Sequence, residues 1–183
     1  VTTLLLGFPD YAPQARARAA ALDVAYAEID VHRFPDGESR LRLPAQLPER
    51  VILCRSLNDP NAKLVELLLA AEAARESGVR ELVLVAPYLC YMRQDTAFHP
   101  GEVVSQRHVG RWLGARFDAV VTVDAHLHRV HALGDAVPAA HAVNLDAAPL
   151  LGEYAARHFA APLLLGPDAE SAPWVEAAAR AGG

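Results

Sequence analysis

Apolar residues along this chain come in short blocks separated by longer amphipathic stretches, the pattern of strands alternating with helices. The clearest block is Leu82-Val83-Leu84-Val85-Ala86, an unbroken apolar run of the kind expected in a strand covered on both faces. Pro87 has no N–H to donate and stops the pairing. Similar blocks predict strands over 3–6, 24–29, 51–54, 119–123 and 162–165. Ser39–Leu43 alternates instead: Leu41 and Leu43 point one way, Arg40 and Arg42 the other, so a half-buried strand is expected there. The turn signal Pro35-Asp36-Gly37 precedes it and should join two strands in a projecting hairpin.

Helices are expected over 10–22, from Pro60 to about Ser77, over 105–116, over 145–159 and over 171–181. Asn58-Asp59-Pro60 offers a capping side chain and a first-turn proline; Leu64, Leu67, Leu68 and Ala71 form the apolar stripe, and Gly78 closes the helix. Ser105 is the expected cap of the next helix. Residues 87–104 have no periodicity, and so long a loop in a compact domain is usually functional or mobile. The order strand, helix, strand predicts an α/β fold with a doubly wound, mostly parallel sheet. We expect a first domain over residues 1–145. Residues 146–183, with one strand and little else to pair it, read as the beginning of a second α/β domain.

With 183 residues, 52% of them hydrophobic, a packed core is expected. A net charge of -5 argues against nucleic acid as the main partner. The positive charge is almost all arginine and Lys63 is the only lysine, which matters because phosphoryl-transfer sites often use lysine as a phosphate clamp. Cys54 and Cys90 lie in apolar surroundings and form no C-x-x-C pair, which suits buried free thiols in a reducing compartment. No signal peptide or membrane-length apolar run is visible, and we expect a cytoplasmic protein.

Polar groups collect at strand ends: Arg93-Gln94-Asp95, then Asp124, His126 and His128, then Asp168. In open α/β sheets ligands bind beyond the carboxyl ends of the strands. Taken singly, an aspartate at a strand end is more often a helix cap and a histidine more often a structural group. The case rests on their joint placement. Asp124 and His126, two residues apart, could face one side of an extended strand and suit a divalent ion that also holds phosphates; magnesium itself prefers oxygen ligands. There is no G-x-x-x-x-G-K-[ST] and no G-x-G-x-x-G, so a nucleotide would bind by another design. Adenine could stack on Phe34 while Asp36 or Glu38 accepts from its amino group and Arg93 holds phosphate oxygens.

These residues carry a resemblance. Arg33-Phe34-Pro35-Asp36-Gly37-Glu38; Pro87-Tyr88 with Tyr91-Met92-Arg93-Gln94-Asp95; Val121-Thr122-Val123-Asp124-Ala125-His126; and Pro167-Asp168-Ala169 fall in the order and spacing of the ribose-phosphate pyrophosphokinases. The chain resembles that family over nearly its whole length. The resemblance implies two tandem phosphoribosyltransferase-like domains, assembled as homo-oligomers built from dimers, usually hexamers. It implies transfer of diphosphate from ATP to the anomeric hydroxyl of ribose 5-phosphate with Mg2+, giving 5-phosphoribosyl 1-diphosphate and AMP. Phe34, Asp36, Gly37 and Glu38 would hold the adenine, often in a neighbouring subunit's site. Arg93 and Gln94 would contact ATP. His126, with Asp124 nearby, would bind the metal–ATP complex, and Asp168 would belong to the metal and ribose-phosphate side.

The sequence also departs from the family. Thr96-Ala97-Phe98 stands where many members carry lysines and a further aspartate, Glu170-Ser171 replaces the usual glycines, and His126-Leu127-His128-Arg129 differs from the commonest members. This marks a divergent branch. The family's catalytic lysine loop and its acidic ribose-phosphate loop would lie past residue 183, so no catalytic residue is assigned within this chain. These residues alone are expected to bind nucleotide weakly without turnover. A non-catalytic partner subunit that keeps the fold and the oligomer contacts is the alternative, and a plain phosphoribosyltransferase ranks below both.

Overall fold

The computed structural model describes residues 2–183. In chain order the elements are β1 (Thr3–Gly7), α1 (Ala12–Ala21), β2 (Ala25–Glu28), β3 (Asp30–Arg33), β4 (Ser39–Arg42), β5 (Arg50–Cys54) and α2 (Pro60–Glu76). Then follow β6 (Glu81–Val85), α3 (Ser105–Gly114), β7 (Ala119–Val123), α4 (Leu133–Ala136), β8 (His141–Leu145), α5 (Ala148–His158) and α6 (Ala172–Gly182). Six strands form one sheet in the order β2-β1-β5-β6-β7-β8. Neighbours from β2 to β7 run parallel, with Leu5 opposite Tyr26 and Ile52, and Leu53 opposite Leu84. β3 and β4 form a separate antiparallel hairpin in which Arg33 faces Ser39. The expected α/β, mostly parallel sheet is therefore present.

Strand alternation divides the core between the two faces of this sheet. Leu5, Ile52 and Cys54 meet Ala15 and Ala19 of α1 on one face. Leu6, Val51, Leu53, Leu82, Leu84 and Val120 meet α2 and α3 on the other. Helices thus cover both faces, as a doubly wound sheet requires. The cover is unequal. Leu82 and Leu84 are fully buried, whereas Val83 and Val85 are only half-buried, so β6 is sealed on one face rather than both as its composition suggests.

Residues up to Asn144 form one compact unit and those from Leu145 a second. In the second, α5 and α6 pack against each other. The strand expected over 162–165 does not form: Leu163 and Leu165 are each 83% exposed and unpaired. Apolar composition favours a strand, but a strand persists only with a neighbour to hydrogen-bond. Conversely, β8 was hidden in the sequence because it lies at the sheet edge and is largely exposed, so it lacks a buried strand's signature. It also shortens the helix expected from residue 145, which begins at Ala148.

Two expected caps are absent. Asp59, the residue before α2, has φ 48° and makes no side-chain cap, and Ser105 is the first residue of α3 rather than its cap. Pro60 still supplies a φ suited to the first turn of α2.

Candidate functional site

The hairpin tip is built by its own backbone. Phe34 N–H donates to Glu38 O (2.8 Å) and Gly37 N–H to Phe34 O (3.0 Å). Gly37 has φ +94°, a conformation that costs a side-chain-bearing residue energy. The Asp36 carboxylate accepts from Glu38 N–H at 3.2 Å. Phe34 remains 41% exposed, with its ring edge-on to His32. The tip therefore offers an aromatic face beside two carboxylates, while its side-chain ties run down to Glu66 on α2: Ser39 Oγ donates at 2.7 Å and Arg33 Nε at 3.4 Å.

Arg93, Gln94 and Asp95 lie in the loop after β6, and the structure separates their roles. The loop backbone is gripped by buried Gln106 in the first turn of α3, whose side-chain amide donates to Met92 O (3.1 Å) and whose N–H donates to Gln94 O (3.2 Å). Arg93, between those two anchors, is exposed, and it makes no ion pair among the described residues. The Gln94 amide donates to Thr96 O at 2.9 Å and borders a shallow recess with Phe98, His99 and Glu102. Asp95 does not present its carboxylate to solvent. It is buried and accepts from Arg129 Nη1 at 2.8 Å. An anion is least costly there when paired.

At the end of β7 the expected two-residue spacing fails, because the strand stops at Val123 and Asp124 has φ 44°. A left-handed residue redirects the chain, so Asp124 and His126 do not share a strand face. The turn is fixed by Ala125 N–H donating to Asn144 Oδ1 at 2.9 Å. Asp124 is exposed and His126 half-buried, with the His126 and His128 ring centroids 3.9 Å apart. Arg129, in the same segment, reaches Asp95, so the loops after β6 and β7 are joined by a salt bridge. Thr122 Oγ1 adds a donation to Pro87 O at 3.4 Å.

Asp168 lies in the second unit, where it accepts from Ser171 N–H at 3.0 Å and caps the turn leading into α6. Among the described residues no group of three His, Cys, Asp or Glu side chains is placed to hold a metal ion. The structure therefore joins the Arg93 and His126 clusters, whereas the hairpin's polar ties lead to α2.

Sequence reasoning missed Glu66, Gln106 and Arg129. Glu66 did leave a trace: it begins the line Glu66, Ala70, Ala74, spaced by four, and all three are buried. The lone lysine is engaged, since Lys63 Nζ contacts Asp10 Oδ2 (3.0 Å), Asn58 Oδ1 (3.0 Å) and Ser56 O (3.1 Å). Both thiols are free and buried, and burial pushes Cys54 up and Cys90 up to about 12, which disfavours the reactive thiolate form. An apolar groove between α2 and α3, lined by Leu64, Val65, Val109 and Trp112 among others, has no lysine or arginine in its lining to hold a phosphate. No helix is long and apolar enough to cross a membrane among the described residues.

Comparison with known proteins gives a consistent result. Residues 7–115 match the N-terminal domain of ribose phosphate pyrophosphokinase. The ribose-phosphate pyrophosphokinase of Methanopyrus kandleri is 40% identical over 156 residues, covering 84% of this chain and 52% of the relative. That of Halobacterium salinarum is 37% identical over 155 residues, covering 84% and 53%. The crystal structure of phosphoribosylpyrophosphate synthetase from Mycobacterium smegmatis matches with a TM-score of 0.77 at 24% identity, over 86% of this chain and 53% of that one. That likeness establishes the fold. The chain spans about half the length of the curated relatives it matches.

Proposed function

The chain belongs to the ribose-phosphate pyrophosphokinase family, and from that premise we propose that it forms the nucleotide-holding part of an enzyme that transfers diphosphate from ATP to ribose 5-phosphate. The observation that carries this reading is Arg93. It is exposed and paired with no carboxylate among the described residues, in a loop whose backbone Gln106 anchors on both sides. A guanidinium held this way is suited to bidentate phosphate contact, and the family's reaction depends on placing charge around a moving phosphoryl group.

Release of AMP requires the anomeric hydroxyl oxygen to attack the β-phosphorus, breaking its bond to the oxygen that leaves with AMP. In this reading Arg93 and Gln94 hold the phosphates in line, and Phe34, Asp36, Gly37 and Glu38 hold the adenine, within the protomer or across a dimer-based homo-oligomer contact. The residues at the end of β7 suit an ion carried by the nucleotide rather than a resident metal. Asp124 supplies one carboxylate beside the His126 and His128 imidazoles, and magnesium, which prefers oxygen, commonly takes only one or two carboxylates and completes its shell with water and phosphate oxygens. Asp124 and His126 would hold it, and Asp168 is proposed separately, within the second unit, as a metal and ribose-phosphate residue. Bound Mg2+ supplies neutralisation of the charge developing on the phosphate oxygens. Engagement of Lys63 with Asp10 removes the only lysine here as a clamp on the moving group. We therefore place the remaining catalytic cations in the part of the family's architecture that this chain does not span. Residues from Leu145 onward are proposed as the start of the second phosphoribosyltransferase-like domain.

Phosphorus NMR of a polypeptide that joins this chain to the remaining half of the family's architecture, with ATP, ribose 5-phosphate and magnesium, tests this. AMP and 5-phosphoribosyl 1-diphosphate are expected, and Arg93→Ala should slow their formation at least about tenfold, the loss typical of a charged transition-state contact. ADP as the nucleotide product, or an Arg93→Ala variant as fast as its parent, would contradict it.

A further inference from the structure

The β3–β4 hairpin has little to hold its direction. Its strands do not join the main sheet, and a two-stranded hairpin alone is marginal in water. Val31 and Leu41 pack only partly against the core. The pairs between Asp30 and Arg40 or Arg42 are exposed and contribute little. The firm attachment is polar, and its place matters. Arg33 and Ser39 are the last cross-strand pair before the tip, and both donate to the same buried oxygen, Glu66 Oε1.

Glu66 is itself fixed from beneath. Arg55, 2% exposed, approaches Glu66 Oε2 at 2.6 Å, off the hydrogen-bond axis, as an ion pair. The same guanidinium donates from Nε to Asp10 Oδ1 at 2.9 Å and lies 4.2 Å from the Phe8 ring centroid. Phe8 and Asp10 follow the carboxyl end of β1, and Arg55 follows that of β5. The charges alternate from Lys63 through Asp10, Arg55 and Glu66 to Arg33, each inner group lying between two of opposite sign. A relay of short contacts thus runs from the carboxyl edge of the sheet to the rung directly below Phe34–Glu38.

We propose that Glu66 is a positioning residue for nucleotide recognition: through Ser39 and Arg33 it sets where the hairpin tip presents its aromatic ring and carboxylates. This rests on the reading that the tip holds the adenine. Glu66 touches no nucleotide itself. Its effect is on the entropy cost of binding, since a tip held in one place need not be ordered by the ligand.

The test combines hydrogen exchange with ATP titration on the intact protein. Ser39→Ala removes one donor without disturbing Arg55. It should speed amide exchange across residues 31–42 more than in the core strands, lower the melting temperature modestly, and weaken ATP binding roughly three- to tenfold, the worth of one hydrogen bond. Ser39→Thr keeps the hydroxyl and should restore exchange and binding. Glu66→Gln should act in the same direction and more strongly. Phe34→Ala is the reference for the tip. If Phe34→Ala weakens binding but Ser39→Ala and Glu66→Gln bind ATP as the parent does, or if hairpin exchange is unchanged in both, the proposal is overturned. If Phe34→Ala binds as tightly as the parent, the adenine reading of the tip is what fails, and the proposal falls with it.

Discussion

A carboxylate sealed beside Arg55 in α2 is tolerated because it is charged and paired, for an ion taken out of water costs several kcal/mol that only a partner can offset. Burial pushes the Glu66 carboxyl up, but the Ser39 hydroxyl and the Arg55 and Arg33 guanidiniums outweigh it and hold the group below its ordinary value of 4.5. Asp10, where burial is likewise outweighed by Arg55 and Lys63, lies below 3.8. A group depressed in the folded state binds fewer protons than in the unfolded chain, so it contributes stability above its unfolded pKa and loses it as pH falls through the folded one. Acid unfolding should therefore begin below about pH 4.5, and Glu66→Gln should flatten the upper part of that limb in pH-dependent urea titrations. Breaking the pair outright is costlier. Glu66→Leu should lose about 3–5 kcal/mol, because Arg55 stays buried with Asp10 as its remaining carboxylate. A loss under 1 kcal/mol in urea unfolding would show that water reaches Arg55 freely. Arg129→Ala should cost less, about 1–3 kcal/mol, because Arg129 is half exposed while its partner Asp95 is buried. Sequence reading could not give these roles: it placed Asp95 at the site mouth, and only the fold reveals that the side chain turns inward to Arg129. Composition marks a group as chargeable, whereas direction and partner come from packing.

Among the elements, α3 does two jobs that share one contact. Its first turn holds the Arg93 loop through Gln106, and Gly110, one turn on, lies against α4. A Cβ on Gly110 would meet Ala136 O at 1.8 Å, a backbone atom that cannot swing aside. Gly110→Ala should thus force α3 from α4, destabilise the protein by about 1–3 kcal/mol in denaturant unfolding, and loosen the Arg93 loop in hydrogen exchange. Unchanged exchange over 92–95 would uncouple the loop from the helix. Elements whose signal is local were legible beforehand. The apolar blocks of β1, β5, β6 and β7, the Pro35-Asp36-Gly37 turn and the leucine line of α2 follow from short-range sterics and periodicity. Elements that depend on a neighbour were not. β8 is an exposed edge strand without an apolar signature, and 162–165 has the signature without a pairing strand. The same reason hid the turn at Asp124, whose left-handed backbone is set by the contact of Ala125 with Asn144 rather than by its own sequence.

For the molecule as a whole, the arrangement of parallel strands with helices on both faces places every proposed group of the first unit at loops leaving the sheet or on the hairpin held to α2. The sheet supplies rigidity and the loops supply chemistry, the usual division in α/β proteins. A tip so exposed, carrying Phe34 and two carboxylates, fits the proposed assembly in which copies of the chain share nucleotide sites. Sedimentation of the 19.7 kDa chain should accordingly give a dimer or a multiple of one, and a monomer at all concentrations would confine the tip to its own protomer's site. The central claim is that clusters distant in sequence line a common nucleotide site, and amide chemical-shift mapping during titration with magnesium and ATP tests it most directly. The account predicts coincident shifts at Phe34–Glu38, at Arg93 and Gln94, and at Asp124–His126, all saturating at one ligand concentration. Shifts confined to the α2–α3 groove, or shifts in these three segments that saturate separately, would contradict it.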